Sequence, residues 1–372
     1  SGGELRIRVI EGRYGKIAAT GTDKLVDGAQ PFLDHLQSGT PIESGQLERV
    51  TLILDDQPGI KTTPTIRPGQ AYGAGDLVVD VQRAGPSTGM PTKPEQADLL
   101  QAMFGRNGES PVPVLAAKSP SDCFDTALEA CRIAVTYRTP VIMLSDGYLG
   151  NGAEPWKVPD LAEIPRIDPH FATEPNTTAA DGSPRFMPYR RDPQTLARPW
   201  VLPGTKGLEH RVGGLEKSAH TGAISYDPAN HEEMVATRAA KVKGIAKTIP
   251  PTAVDDPSGD ADVLVLGWGS AYGPITAAVR RVRARGLSIA QAHVRHLNPL
   301  PEDLGDVLRR YRQIVVPEMN TGQFAMLLRS KYLIDVKTIS RVRGLPISPV
   351  DLCDELCRHC GDSKGSDDTR EA

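Results

Sequence analysis

The chain has 372 residues, enough for two or three domains of ~150 residues each. Its 43 Lys+Arg against 46 Asp+Glu leave a net charge of −3, which excludes a strongly basic nucleic-acid binder and an acidic disordered tail. Aromatic residues are 5%, too few for a single-strand stacking platform, and no apolar run approaches the ~18 residues of a membrane span.

Residues 1–75 read as an atypical, unassigned N-terminal region. Leu5, Ile7 and Val9 alternate with polar residues as in a short strand. Pro31 opens a helix-like stretch that Gly39 closes, and Val50, Leu52 and Leu54 alternate again. From Gly59 to Gly75 the text is Thr, Pro and Gly. Leu77–Val81 is then a short apolar run, a buried strand. The spacing predicts a helix over 95–103, a second buried strand over 111–117 and a helix over 124–137 capped by Ser121 or Asp122. A third strand follows over 140–145. In the helix, Phe124, Ala127, Leu128, Cys131 and Ala134 repeat at the spacing of a core face. Strand, helix, strand, helix, strand at this spacing is a βαβαβ unit with a parallel sheet.

Residues 155–203 hold ten prolines, a density no regular element survives. Trp156, Phe171, Phe186, Tyr189 and Trp200 are spaced along it, unlike a disordered linker, so an ordered strap over the domains or a partner is expected. A helix follows over 231–249. The polar stretch 255–262 marks a domain boundary, which makes 76–254 one domain and 255–360 the next. The second begins with a strand at Val263–Leu266, a Gly267-Trp268-Gly269-Ser270 turn and a helix to Gly286. Further strands are expected over 290–295 and 314–316, and residues 361–372 read as a frayed tail.

The densest chemistry is the run Asp80-Val81-Gln82-Arg83-Ala84-Gly85-Pro86-Ser87-Thr88-Gly89-Met90-Pro91-Thr92, just past a buried strand. Ligands of open α/β sheets sit at such strand ends. A guanidinium grips a carboxylate through two parallel hydrogen bonds, and Ser87, Thr88 and Thr92 add hydroxyls. The loop therefore fits an anionic organic substrate; its plain alternative is a Gly/Pro turn with a surface arginine. Arg106 and Asn107, in Gly105–Glu109, could reach the same anion if the two loops converge, although Asn-Gly is first a turn signal.

Other motifs carry less. Ser145-Asp146-Gly147 with Asn151 has the wrong spacing for a Mg–diphosphate motif and reads better as a strand-end cap. Gly267-Trp268-Gly269 lacks an acidic ribose partner and reads as tight strand-to-helix packing. Cys353, Cys357 and Cys360 have the C-x3-C-x2-C spacing of a radical-enzyme [4Fe–4S] site. They also share one helix face beside Leu352 and Leu356, and buried cysteines are the reading favoured here. No histidine spacing suggests zinc. Five cysteines with no signal peptide before them predict a reducing cytoplasm and no disulfide framework. The chain starts at Ser1, not Met, as a fragment would.

The Asp80–Thr92 loop with Lys93-Pro94-Glu95-Gln96-Ala97-Asp98-Leu99-Leu100 and the Gly105–Glu109 turn resembles the alpha subunit of 2-oxoacid:ferredoxin oxidoreductases, the 2-oxoglutarate type of actinobacteria most of all. So do Ser145–Leu149, Gly207–Arg211, Val265–Ser270, Leu297–Pro301 and Pro317-Glu318-Met319-Asn320-Thr321-Gly322-Gln323. The resemblance implies an α/β chain: a thiamine-enzyme pyrimidine-type parallel-sheet domain followed by a transketolase C-terminal-like domain. It implies oxidative decarboxylation of a 2-oxoacid, with acyl transfer to coenzyme A and reduction of ferredoxin. Thiamine diphosphate is the implied cofactor, with Mg²⁺ and a [4Fe–4S] cluster held mainly by a partner beta subunit in a heterodimer or dimer of heterodimers. It gives Arg83 and Thr92 the 2-oxoacid as catalytic and substrate-binding residues, with Ser87, Thr88, Arg106 and Asn107 around them; it identifies no cofactor-binding residue. The family's Tyr-Pro-Ile-Thr-Pro segment and the glutamate that activates the cofactor are missing from residues 1–75. The alternative is a degenerate or truncated, non-catalytic alpha-type subunit that only binds a beta partner.

Overall fold

The computed structural model describes residues 13–21, 23–55, 60–68, 74–83, 94–160 and 162–365. The expected strand at Leu5–Val9 and the loop residues Ser87, Thr88 and Thr92 lie outside them. Contacts divide the chain into two compact units, Ser1–Thr92 and Lys93–Ala372, so the division falls after the loop rather than before the strand that leads into it.

The first unit contains β1 (Arg13–Gly21), α1 (Asp23–Leu33), α2 (Ser44–Asp55), β2 (Ile60–Pro68) and β3 (Ala74–Arg83). β3 is central, parallel to β1 and antiparallel to β2. The apolar run 77–81 therefore does not join the later strands in one βαβαβ sheet. A five-residue apolar run shows that a strand is buried but not which strands take its hydrogen bonds. Two other expectations change here. Val50, Leu52 and Leu54 lie in helix α2, where Leu54 is buried and Leu52 exposed. Pro31 lies inside the end of α1 rather than at a helix start. Tyr14, Ala29, Leu33, Leu36 and Leu54 form this unit's core.

The second unit starts with α3 (Leu99–Phe104), β4 (Val114–Ala116), α4 (Asp122–Tyr137), β5 (Ile142–Leu144) and α5 (Gly147–Asn151). Among its described residues the proline-rich segment holds only the two-residue strands β6 (Thr177–Thr178) and β7 (Pro184–Arg185). It is fastened by ring contacts, Trp156 against Phe124 at 5.4 Å and Phe171 stacked on Trp200 at 6.3 Å, and by the Ala172 N–H donating to the Trp200 carbonyl at 2.7 Å. α6 (Pro228–Gly244) follows, capped by Asp227, which accepts from the Ala229 N–H.

The remaining elements are β8 (Val254–Asp255), β9 (Val263–Trp268), α7 (Tyr272–Ala284), β10 (Ala290–Val294), β11 (His296–Asn298), α8 (Leu304–Arg309), β12 (Gln313–Glu318), α9 (Gln323–Tyr332), β13 (Val336–Ser340) and α10 (Pro349–Gly365). They build a sheet of order β13-β12-β9-β10-β8, parallel except for the antiparallel edge β8. β9 is buried at every position, as a strand covered on both faces must be. β8 occupies the start of the stretch read as a polar linker. α10 runs on to Gly365, beyond the expected fraying point at 361. Its Cys353 and Cys360 are buried in the core with Leu352 and Leu356.

The two halves of this unit share a strand path. After β10 the chain leaves the five-stranded sheet at Arg295 and continues as β11, antiparallel to β4. The Ala116 N–H donates to the Arg295 carbonyl at 2.8 Å. The Arg295 guanidinium pairs with Asp122, which is buried at the start of α4 and also accepts from Thr126 Oγ1 at 3.1 Å. This pair turns α4 over. Asp122, Thr126, Ile133 and Tyr137 face inward, while Phe124 and Cys131 are exposed, the reverse of the expected core face. Two turns beyond Asp122 in α4, Glu129 accepts two bonds from Arg132 (2.6 and 2.7 Å) and one from His296 Nε2 (3.0 Å). Burial raises the Glu129 pKa, but hydrogen bonds from Arg132 and His296 outweigh it and hold the carboxyl at about 2.

Because the folded pKa lies below the unfolded value, this carboxylate stabilises the fold above pH ~4.5 and the contribution fades as pH falls toward 2. Glu129→Gln should therefore cost ~2–3 kcal/mol at pH 7. The difference from wild type in urea unfolding should shrink steadily below pH 4.5; a pH-independent difference would mean that packing, not charge, is what Glu129 supplies.

Candidate active-site loop and its anchor

The candidate substrate loop follows β3, which ends at Arg83, and the described residues continue from Pro94, two residues beyond Thr92. From there the backbone is pinned. The Gln96 amide is buried; its Nε2 donates to the Trp268 carbonyl at 2.8 Å and its Oε1 accepts from the Met319 N–H at 2.9 Å. Its backbone N–H donates to the Met319 carbonyl at 3.2 Å, and its carbonyl accepts from Asn320 Nδ2 at 2.9 Å. Gln323 closes the far side: Nε2 donates to the Ala97 carbonyl at 2.7 Å, and Oε1 accepts from the Leu100 N–H at 3.0 Å.

Glu318 stands behind Gln96, fully buried at the end of β12. Its carboxyl accepts from the Phe324 N–H (2.9 Å), the Ala325 N–H (3.0 Å), Asn320 Nδ2 (2.9 Å) and Trp268 Nε1 (3.3 Å). The first two are first-turn N–H groups of α9 that a helix leaves unpaired. Asn320 Oδ1 accepts from the Gly322 and Gln323 N–H groups at 2.7 and 2.9 Å. Burial raises the Glu318 pKa, and the four donors oppose that rise without cancelling it.

The carboxyl ends of β4, β5 and β9 (Ala116, Leu144 and Trp268) meet over Gln96 at a cavity of about 30 Å³. Strand ends are where α/β sheets bind ligands, but this space takes little more than one water. Asp146 forms its polar corner. It caps α5 by accepting from the Tyr148 and Leu149 N–H groups at 3.0 and 3.1 Å, and Ser270 Oγ donates to its other oxygen. Asp146 is thus a strand-end cap. Gly269, at φ +55, admits the Gln96 amide, which would stand 3.0 Å from a Cβ there. A Cβ on Gly267 would meet Ile275 at 2.7 Å, so the Gly-Trp-Gly turn serves packing.

Arg83 ends β3. Arg106 is committed elsewhere: its guanidinium donates to the carbonyls of Ala102 (2.6 Å), Met103 (2.8 Å) and Ser110 (2.9 Å), closing α3. Asn107 is exposed beside Gly108, whose φ of +69 is that of a tight turn. These two positions hold a helix stop and a turn, because the orphan carbonyls at the end of α3 need donors. Sequence reasoning missed Gln96, Trp268, Glu318 and Asn320 as one network. Their signal was split over three separate motifs, Lys93–Leu100, Val265–Ser270 and Pro317–Gln323, the last more than 200 residues from Gln96.

Thiamine diphosphate needs a diphosphate cradle with a bound cation. Among the described residues no group of three His, Cys, Asp or Glu side chains could hold a metal, and the strand-end cavity is far too small for a thiazolium ring. The described residues do not by themselves form that site.

The second unit is an α/β fold whose five-stranded sheet is parallel but for one edge strand, with the Gln96 anchor buried at strand ends. Residues 76–224 match the family model described as pyruvate flavodoxin/ferredoxin oxidoreductase, thiamine diphosphate-binding, and residues 261–352 match pyruvate:ferredoxin oxidoreductase core domain II. The chain belongs to the 2-oxoacid:ferredoxin oxidoreductase family, on the alpha-subunit side. It is 57% identical over 282 residues to the 2-oxoglutarate oxidoreductase subunit KorA of Mycobacterium tuberculosis, covering 76% of this chain and 41% of that one. It is 30% identical to the 2-oxoglutarate synthase subunit KorA of Methanothermobacter marburgensis, covering 66% of this chain and 63% of that one. The 2-oxoglutarate:ferredoxin oxidoreductase from Magnetococcus marinus, solved with 2-oxoglutarate, coenzyme A and succinyl-CoA bound, superposes with a TM-score of 0.64 at 33% identity over 76% of this chain and 48% of that one. The chain thus spans less than two thirds of the length of each of these relatives.

Gln96→Ala would strip partners from the buried Trp268 carbonyl and Met319 N–H. The expected cost is ~2–4 kcal/mol, read as a lower urea midpoint with unchanged slope. An unchanged midpoint would show that the anchor does not bear on stability.

Proposed function

We propose that this chain is the alpha-type part of a thiamine diphosphate-dependent 2-oxoglutarate:ferredoxin oxidoreductase. The observation that carries this reading is the 57% identity over 282 residues to a 2-oxoglutarate oxidoreductase subunit. The Magnetococcus marinus enzyme, solved with 2-oxoglutarate and coenzyme A, supports the same substrate and acyl acceptor. Thiamine diphosphate supplies the carbon chemistry, and a beta subunit brings Mg²⁺, the [4Fe–4S] cluster and the route to ferredoxin. The assembly is a cytoplasmic heterodimer or a dimer of heterodimers; among the described residues no helix is long and apolar enough to cross a membrane.

In this reading Arg83 grips the 2-oxoacid carboxylate through its guanidinium fork and Thr92 offers its hydroxyl to the keto end, with Ser87 and Thr88 completing the cradle. The Gln96 anchor gives the loop a fixed foot four residues past Thr92. A defined endpoint lowers the ordering cost of holding a substrate in one geometry.

A second reading of a chain that spans 41% of the Mycobacterium tuberculosis subunit is a non-catalytic alpha-type subunit that docks a beta partner. Co-expression with the beta subunit separates the two. Reduction of a viologen dye that depends on 2-oxoglutarate and coenzyme A supports the catalytic reading, and a complex without turnover supports the docking one. In an active complex, Arg83→Ala should raise KM for 2-oxoglutarate at least tenfold, a loss of ~1.4 kcal/mol or more. Unchanged kinetics would remove Arg83 from the substrate.

A further inference from the structure

Between the outer side of α4 and the proline-rich segment lies a groove of about 990 Å³. It shares no lining residue with the strand-end cavity over Gln96. Two of its arginines are neutralised, Arg132 by Glu129 and Arg295 by Asp122. Five more converge on it, Arg138, Arg166, Arg190, Arg191 and Arg198, and none has a carboxylate within 4.0 Å among the described residues. Arg138 lies 4.2 Å over the Trp200 ring and donates to the carbonyls of Val135 and Pro169, while its Nε is buried without a partner. Arg191 donates to the Ala219 carbonyl at 3.3 Å and to Met234 Sδ at 3.1 Å. Arg190 donates to the Asn176 carbonyl, Arg198 lies over the Tyr189 ring at 5.5 Å, and Arg166 is exposed.

Besides Glu129 the groove is lined by three acids, Asp125, Asp168 and Asp192, fewer than the five arginines. Asp192 accepts from the Gln194 and Thr195 N–H groups and the Thr195 hydroxyl, and Asp168 from the His170 N–H. Behind the wall, Lys241 donates to the Arg138 carbonyl at 3.3 Å. Burial, with Arg191, Arg198 and Arg238 nearby, pushes its pKa down to about 8. Like charges gathered around one cavity repel unless an anion joins them, and guanidinium forks match phosphate oxygens in pairs. Leu128, Ile167 and Ala197 add an apolar wall, and the volume is at the upper end of small-molecule sites.

We propose that this groove binds an organic ligand carrying two or more phosphate groups, of the size of a nucleoside diphosphate. The arginines hold the phosphates and the apolar wall takes the organic part. The site does not depend on the assigned reaction, so it stands or falls separately from the substrate loop.

Isothermal titration of the full chain with ADP, inorganic pyrophosphate and adenosine tests it. Saturable one-to-one binding of ADP and pyrophosphate is expected, with ADP at least tenfold tighter than adenosine. Affinity should fall as salt rises, since charge supplies the binding. The variant carrying Arg166→Ala and Arg198→Ala should weaken ADP at least tenfold. Neither side chain makes a hydrogen bond that holds the fold, and the single variant Arg166→Glu, at an exposed position, gives the same reading if the pair misfolds. Absence of saturable heat, equal affinity in Arg166→Glu, or tighter binding of a glutamate-rich peptide than of ADP would each overturn the proposal.

Discussion

The carboxyl group of Glu318 is the point on which the second unit turns. It sits without solvent at the end of a central parallel strand, satisfied by two helix N–H groups, one amide and one indole. A buried acid is tolerable only when every lone pair is used. That condition fixes where α9 begins, how Trp268 is oriented and where Asn320 stands. Asn320 and Met319 in turn meet Gln96, so the end of β12 holds the segment that begins at Pro94. The anchor is thus built from residues of a different half of the unit.

A second constraint welds those halves. The chain passes from the five-stranded sheet into the small one across a single residue, Arg295, whose carbonyl pairs with β4 and whose guanidinium reaches Asp122. The polar pair commits one side of α4 to the interior. The apolar stripe of the same helix is left facing outward, where Phe124 meets Trp156 from the proline-rich segment. A helix normally buries its apolar face; here a charged pair with a good geometry decides instead, and a rigid wrapping segment takes over part of the covering.

That segment serves a further end. Its prolines leave little regular structure, so most of its polar backbone and side chains interact individually. The result is a groove edged by arginines that find carbonyls and aromatic faces but few carboxylates. Family membership accounts for the paired sheets and the loop after β3; it gives no reason for this concentration of charge, whereas an anionic ligand does.

Much was legible in the chain itself. Val263–Leu266, 314–316 and 111–117 read as buried strands because continuous apolar runs have no other home, and each holds a strand or part of one. The Asp146 cap, the packing role of Gly267 and the buried Cys353 and Cys360 also followed from local chemistry. The family was readable from ordered motifs around Asp80–Thr92 and Pro317–Gln323. What the sequence could not show was partnership. The strand at 77–81 took β1 and β2 as neighbours, Val50–Leu54 became helix, and α4 turned its polar edge inward. Gln96, named only as one residue of a motif, became the anchor. Periodicity reports how a residue relates to its near neighbours, whereas hydrogen-bond partners more than 200 residues away are chosen only when the chain has folded and every buried polar atom has had to find one.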